Sequence, residues 1–265
     1  MSYSSIPLWL LAVLIFTALI GAREAGYLLR KRRKKSSPPG DAEGSDGFAL
    51  TSVLGLLALL IAFSFSLSLQ RYDARRQIVI NEANALGTTW LRTGLLDEPD
   101  RTRLRAVLRE YVDIRVEFGT ARTPEQEDAV FRRTEEKQRQ LWDAISEAVA
   151  PFRTTPLAAL LVTTTNESID LAAERKATRE AHIPTRILEI LMLYALIAAV
   201  MIGYEKGRHR TATSLLFVLL ALAATLVADL DRPAAGAIKI PQQPMLDLQR
   251  SIADAPARAP VSEPP

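Results

Sequence analysis

The chain of 265 residues contains no cysteine. That excludes disulfides, thiolate metal sites and cysteine nucleophiles, and it leaves the redox compartment open. Its only imidazoles are His182 and His209, so there is no basis for a histidine-rich metal centre. No glycine-rich phosphate loop, metal-ligand spacing or nucleophile arrangement is present. No catalytic residue, metal ligand or cofactor is therefore assigned, and an enzyme is the least supported class of function. His182, beside Pro184, and His209, in a basic loop, read as solvated residues. Strand alternation and internal repeats are also missing, which leaves an all-α reading.

What the chain does have is segregation. It is 48% hydrophobic and 24% charged, with a mean hydropathy of +0.07, but the apolar residues fall in runs at about 6–22, 48–69, 187–204 and 212–230. Each is near the roughly 20 residues needed to cross about 30 Å of hydrocarbon. The simplest parse is an all-α integral membrane protein with spans at 1–22, 48–70, 185–204 and 211–230. A basic flexible loop is expected at 23–47, an extramembrane helical bundle at 71–184 and a Pro-rich tail at 231–265. The net charge of +3 does not point to nucleic acid, because the excess base lies beside the spans, where lipid and topology account for it. The first basic residue is Arg23, after the first apolar run. This order favours a retained anchor with an outside N-terminus over a signal peptide cleaved at Gly21-Ala22.

Seven basic residues, Arg23, Arg30, Lys31, Arg32, Arg33, Lys34 and Lys35, follow the first span, and "EKGRHR" joins the third to the fourth. They read as topology signals or as contacts to anionic headgroups. With both basic loops cytoplasmic, the N-terminus, the central insert and the C-terminus lie outside. In the insert, Thr123-Pro124-Glu125-Gln126 is a helix start, with a Thr cap, Pro at the first position and Gln reaching back. The helix from it places Phe131, Leu141, Trp142, Ile145 and Val149 on one side, with Asp128–Arg132 and Glu135–Arg139 as ion pairs on the other. An earlier helix opens near Pro99 with an apolar face of Leu104, Val107, Leu108, Tyr111 and Phe118; another opens at Thr155-Pro156.

From Phe48 to Arg92 no proline intervenes, which predicts one helix of about 70 Å, more than twice the hydrocarbon thickness. It leaves the bilayer near Tyr72 and stops near Gly94. Gly55, Ala58, Ala62 and Ser66 give it a small-residue stripe suited to close helix contact. Ser64, Ser68, Arg71, Arg75, Ile78 and Glu82 form a second, polar stripe. That stripe either lines a water-filled path, or its serines bond their own helix carbonyls while its charges face solvent. Asn81, Glu82 and Asn84, among small residues, suit a polar bundle interface or a ligand site. At one membrane boundary Arg71, Arg75 and Arg76 meet the level of Arg186, Glu189, Asp229, Asp231 and Arg232. Paired charges there would act as a structural clamp or an ion-selective vestibule.

The run "GLLALLIAFSFSLSLQRYDARRQIVINEANALGTTWLRTGLL", then "LREYVDIR" and "DLDRPAAGAIKI", resembles the bestrophin-like family of bacterial membrane proteins. The resemblance covers about 48–240, with Arg75-Arg76, Glu82-Ala83-Asn84-Ala85 and Asp229-Leu230-Asp231-Arg232-Pro233 as its most specific parts. It implies four spans, oligomers and ion passage, and it places the helical region and termini in the cytoplasm, opposite to the charge-based orientation. The chain departs from bestrophins in having no acidic loop that matches a calcium clasp and no aromatic pore neck. The expected function is an ion-conducting homo-oligomer of the inner (plasma) membrane, with lipid, further copies of the chain and a small ion as partners and the second span lining the path. The alternative is a non-conducting sensor or assembly protein whose insert binds a ligand or a protein.

Overall fold

The computed structural model describes residues 6–36, 46–206 and 210–254. Eight α-helices are present among them: α1 (Leu8–Ser36), α2 (Asp46–Arg92), α3 (Asp100–Thr120), α4 (Pro124–Val149), α5 (Pro156–Glu180), α6 (Thr185–Lys206), α7 (Arg210–Leu230) and α8 (Gln243–Ala253). Two compact units divide the chain, one of residues 1–72 and 181–238, the other of 73–180 and 239–265. The long helix predicted from Phe48 is α2, which ends in a 3-10 turn at Thr93–Leu95.

The first unit is the membrane unit. Its α1, α6, α7 and the first part of α2 are long and apolar enough to cross a bilayer. Leu19, Leu57, Ala195, Ala199, Ile202 and Phe217 fill its interior, while Ile190, Leu193, Leu215, Leu219 and Leu222 stay exposed at 55–62%. Large aliphatic side chains turned outward are what a helix facing lipid carries. The crossing of α1 with α6 is closed by two glycines. A Cβ on Gly26 would overlap the Val200 carbonyl, and one on Gly203 would overlap the Arg23 carbonyl. Helices approach this closely only where side chains are absent. Arg23 is buried beside the crossing and donates to Thr213 Oγ1 at 3.0 Å, Ser214 Oγ at 3.0 Å and the Arg210 carbonyl at 3.2 Å.

The basic stretch after the first span differs from the expected loop, because α1 continues as helix to Ser36. Lys and Arg are good helix formers and suit the negative end of the helix dipole. Arg30 also donates to the Glu205 carbonyl at 2.5 Å and Arg33 to Tyr204 Oη at 2.9 Å, which fixes the extension to the end of α6. The rest of the expected loop (37–45), the centre of "EKGRHR" (207–209, with His209), and the tail from 255 lie outside the described residues.

The second unit is a helical bundle around Leu86, Leu104, Leu108, Tyr111, Leu141, Ile145 and Leu161. Thr123 caps α4 by accepting from Gln126 N at 3.3 Å, and Gln126 Oε1 accepts from Arg122 N at 2.9 Å. Trp142, expected in the core, is 40% exposed; the buried line of α4 is Thr134, Leu141, Ala144, Ile145, Ala148 and Val149. The basic residues of α4 reach mainly across to α3, as Arg133–Glu117 and Lys137–Glu110 at 2.5 Å, and Arg139 pairs with Glu136 instead of Glu135.

Residues 231–254 are not a tail. Asp229 accepts from Ala237 N at 2.6 Å and Ile238 N at 3.3 Å, folding the chain over Gly236. A Cβ there would lie 2.6 Å from both the Arg232 carbonyl oxygen and Asp229 Oδ1. Beyond it α8 buries Met245 and Ile252 in the bundle core, and Gln249 donates to Asp113 at 2.7 Å. Its proline, Pro244, sits in the first turn, where no intrahelical N–H is required. Proline content suggests disorder here, but the prolines stand at boundaries and the spacing Met245, Leu248, Ile252 is that of a helix face.

Candidate functional site

Helix α2 has two opposed faces. At about 100° per residue, Ser64, Ser68, Arg75 and Glu82 fall on one side, and all four are buried. Ser64 Oγ donates to the Leu60 carbonyl of its own helix at 2.9 Å, Ser68 Oγ to the Val227 carbonyl at 3.2 Å, and Arg75 Nε to the Thr178 carbonyl at 3.2 Å. Arg71 is half-buried on the same side, its Nε enclosed without a hydrogen-bond partner. The polar stripe is thus the packed side of α2. The opposite face is exposed: Gly55, Ala58, Ala62 and Ser66 with Leu59, Phe63 and Leu69 in the membrane unit, Asp73, Gln77, Asn81 and Asn84 with Leu91 in the bundle unit. Asn81 accepts from Gln77 at 2.9 Å. Asn81 and Asn84 consequently do not join Glu82, which points the other way.

Glu82 is the centre of a buried ionic cluster within the bundle. Its carboxylate takes Arg115 Nε on one oxygen and Arg175 Nη1, at 2.6 Å, on the other. Glu82 and Arg115 have no solvent exposure and Arg175 has 4%. Arg175 also donates to Gln242 Oε1 at 2.5 Å and to the Arg115 carbonyl at 3.3 Å. The Phe118 ring carries the guanidinium groups of Arg115, Arg175 and Arg179 at 4.7, 5.3 and 5.2 Å from its centroid. Such cation–π contacts compensate part of the desolvation of a cation. Arg179 is held by Glu127 and by the Ala121 carbonyl at 2.7 Å. Two buried arginines on one carboxylate leave an excess positive charge, and Arg115 Nη2 has no partner. Burial pulls the Arg175 guanidinium below its usual value, opposed by Glu82 and reinforced by Arg115. The cluster ties α2, α3 and α5 together, and it offers no nucleophile or exposed proton donor for catalysis.

Sequence reasoning reached Glu82 but not its partners. The signal for Arg115 was present: Leu104, Leu108, Tyr111, Arg115 and Phe118 follow spacings of four and three on α3, so a cation interrupts an otherwise apolar face. An arginine there has to be paired.

Tyr111 adjoins the cluster and accepts from Gln138 Nε2 at 3.0 Å. Burial pushes its phenol up to about 12, with Arg115 pulling it down and Glu82 pushing it up. The unfolded chain releases this proton near the ordinary phenol value of 10.0, while the folded chain keeps it, so stability is full below that pH and is lost as pH rises towards 12. The contribution is on the order of 3 kcal/mol. Thermal melts of the parent and of Tyr111→Phe between these pH values should show the steeper decline in the parent. Parallel declines would contradict this.

At the membrane boundary, Asp231 accepts from Ile183 N at 3.0 Å, and His182 Nδ1 contacts the Asp231 carbonyl at 2.8 Å and its carboxylate at 3.5 Å. Arg232 donates to the Ile6 carbonyl at 2.6 Å. Glu189 pairs with Arg186 of its own helix at 3.0 Å, and Arg76 is exposed. The boundary charges expected to pair with one another do not do so at Asp229, whose carboxylate is bonded by backbone N–H groups, which bond a carboxylate strongly. Arg186 and Glu189 stand apart from these carboxylate–backbone bonds.

Four apolar helices with a helical bundle between the second and third define a polytopic membrane protein. Residues 17–245 match the Bestrophin-like domain, and the chain belongs to that family. No curated protein matches it. Among solved structures, a point mutant of a bacterial bestrophin homolog from Klebsiella pneumoniae is similar with a TM-score of 0.67, 13% identity, and coverage of 93% of this chain and 98% of that one. Another mutant of that homolog gives 0.67, 11%, 91% and 97%. A structure described only as a membrane protein gives 0.66, 14%, 96% and 99%.

Proposed function

We propose that the protein is an ion-conducting homo-oligomer of the inner membrane in which the exposed face of α2 lines the path. The observation that supports this is the composition of that face. Where α6 and α7 turn large side chains such as Ile190, Leu193, Leu215 and Leu219 outward, α2 turns out a run of small residues, Gly55, Ala58, Ala62 and Ser66, alongside the exposed Leu59, Phe63 and Leu69. Small residues give a lipid-facing helix no advantage, but they let symmetry-related helices approach one another and leave room for a hydrated axis. Past Tyr72 the same helix exposes Asp73, Gln77, Asn81 and Asn84, whose side chains can replace ion hydration. The buried polar stripe serves a different purpose, holding α2 in register with the rest of its own subunit. Purified protein reconstituted in liposomes should carry ions across the bilayer. Liposomes as tight as empty ones would favour the non-conducting sensor or assembly protein.

The basic extension of α1 supports an orientation with that end in the cytoplasm and the bundle outside. Because the native chain lacks cysteine, single cysteines report sidedness cleanly. Glu135 is an exposed position of the bundle. In whole cells an impermeant thiol reagent should label Glu135→Cys and not Ser37→Cys. The reverse pattern would place the bundle in the cytoplasm.

A further inference from the structure

Within the membrane unit, α1, α2, α6 and α7 enclose a crevice of about 470 Å³ whose walls include Leu11, Leu57, Ile61, Met192, Leu220 and Ala224. Its lining is apolar except at one end, where Thr185 and Glu189 form part of the wall. Water does not fill an apolar space of this kind, and an empty one forfeits the dispersion contacts of every side chain around it. In a bilayer the available filler is hydrocarbon. The lining on α6 extends from Thr185 to Leu196, about 16 Å of helix rise. A single polymethylene chain can lie along that length against the apolar lining.

The polar end fixes what that chain is attached to. Arg186 and Glu189 pair at 3.0 Å with their side chains 88% and 55% exposed. They stand in the first turns of α6, at the level where lipid headgroups lie. Acyl chains gain little from exchanging one hydrocarbon surface for another, so selectivity has to come from the polar end. A cation beside an anion complements a phosphate beside an ammonium.

We infer that this crevice is a binding site for one acyl chain of an aminophospholipid, with the phosphate on Arg186 and the amine on Glu189. Both ends of the ligand are thereby specified, the tail by the apolar lining of the crevice and the headgroup by the pair. The site belongs to the membrane unit alone and does not depend on ion conduction.

Native mass spectrometry tests it on protein purified in detergent, washed extensively, and offered equimolar phosphatidylethanolamine and phosphatidylglycerol. The expected result is one retained phosphatidylethanolamine per protomer, reduced at least tenfold in Ala224→Phe, which fills the crevice. Glu189→Gln should retain a phospholipid but lose the preference between the two headgroups. Ile61→Trp repeats the filling from α2 should Ala224→Phe fail to fold. The inference is overturned if washed parent protein carries no lipid or only detergent, or if the filled variants retain as much lipid as the parent. A fatty acid mass in place of phospholipid, or an unchanged preference in Glu189→Gln, overturns the assignment of the headgroup. A parent without lipid whose oligomer breaks on filling would assign the crevice to a second copy.

Discussion

Glu82→Gln should lower stability by about 3–5 kcal/mol, the range for breaking one side of a buried ion pair, and a domain of ordinary stability would accumulate poorly with that loss. The carboxylate is the single acid between Arg115 and Arg175, and it accepts from both. A neutral amide in its place leaves two guanidinium groups facing one another in a space closed to water. The amide NH₂ also points a donor at donors. Replacing a cation as well relieves the repulsion, since buried ionic groups are often exchanged for apolar ones at little cost. Glu82→Gln with Arg175→Met should therefore recover part of the loss. Melting curves of purified protein in detergent measure both variants. A Glu82→Gln protein that melts within a degree or two of the parent would remove the cluster from the account of the bundle.

The second large effect belongs to the crossing of α1 with α6. Gly203→Leu places a branched side chain where the Arg23 carbonyl already stands, and backbone cannot rotate away as a side chain can. The helices have to separate, which also pulls Arg23 from Thr213 and Ser214. The cost should exceed the 1–3 kcal/mol of ordinary overpacking, and the variant should fail to accumulate in the membrane. Gly21 lies on the same helix as Gly26 with nothing within 4 Å of its missing Cβ, so Gly21→Leu should express like the parent. Equal expression of Gly203→Leu and Gly21→Leu would show that the close crossing does not matter.

The features that were legible in the sequence are those carried by local pattern. Four apolar runs, the uninterrupted stretch from Phe48 to Arg92 and the Thr123 cap each state their structure within a few turns of helix. The polar stripe was legible as a stripe, because Ser64, Ser68, Arg75 and Glu82 recur at helical spacing. Its direction was not. Whether a row of serines and arginines faces water or the interior depends on partners such as Val227, Thr178 and Arg175, far away in sequence. Gly26 and Gly203 were not singled out for the same reason, since only the crossing shows that each faces a carbonyl. Residues 231–254 misled through composition. Proline frequency outweighed the spacing of Met245, Leu248 and Ile252, although proline at the first turn of a helix is no obstacle.

The most direct test of the central claim, that the exposed face of α2 lines an ion path, uses the absence of cysteine. Ser66→Cys and Ser64→Cys differ by two residues on one helix, but Ser66 is exposed and Ser64 is buried against its own subunit. Each variant is reconstituted in liposomes, and ion flux is recorded before and after a small, charged, water-soluble thiol reagent. The reagent should block flux in Ser66→Cys and leave it unchanged in both Ser64→Cys and the parent. Flux that survives modification of Ser66→Cys, or flux blocked through Ser64→Cys alone, would contradict it.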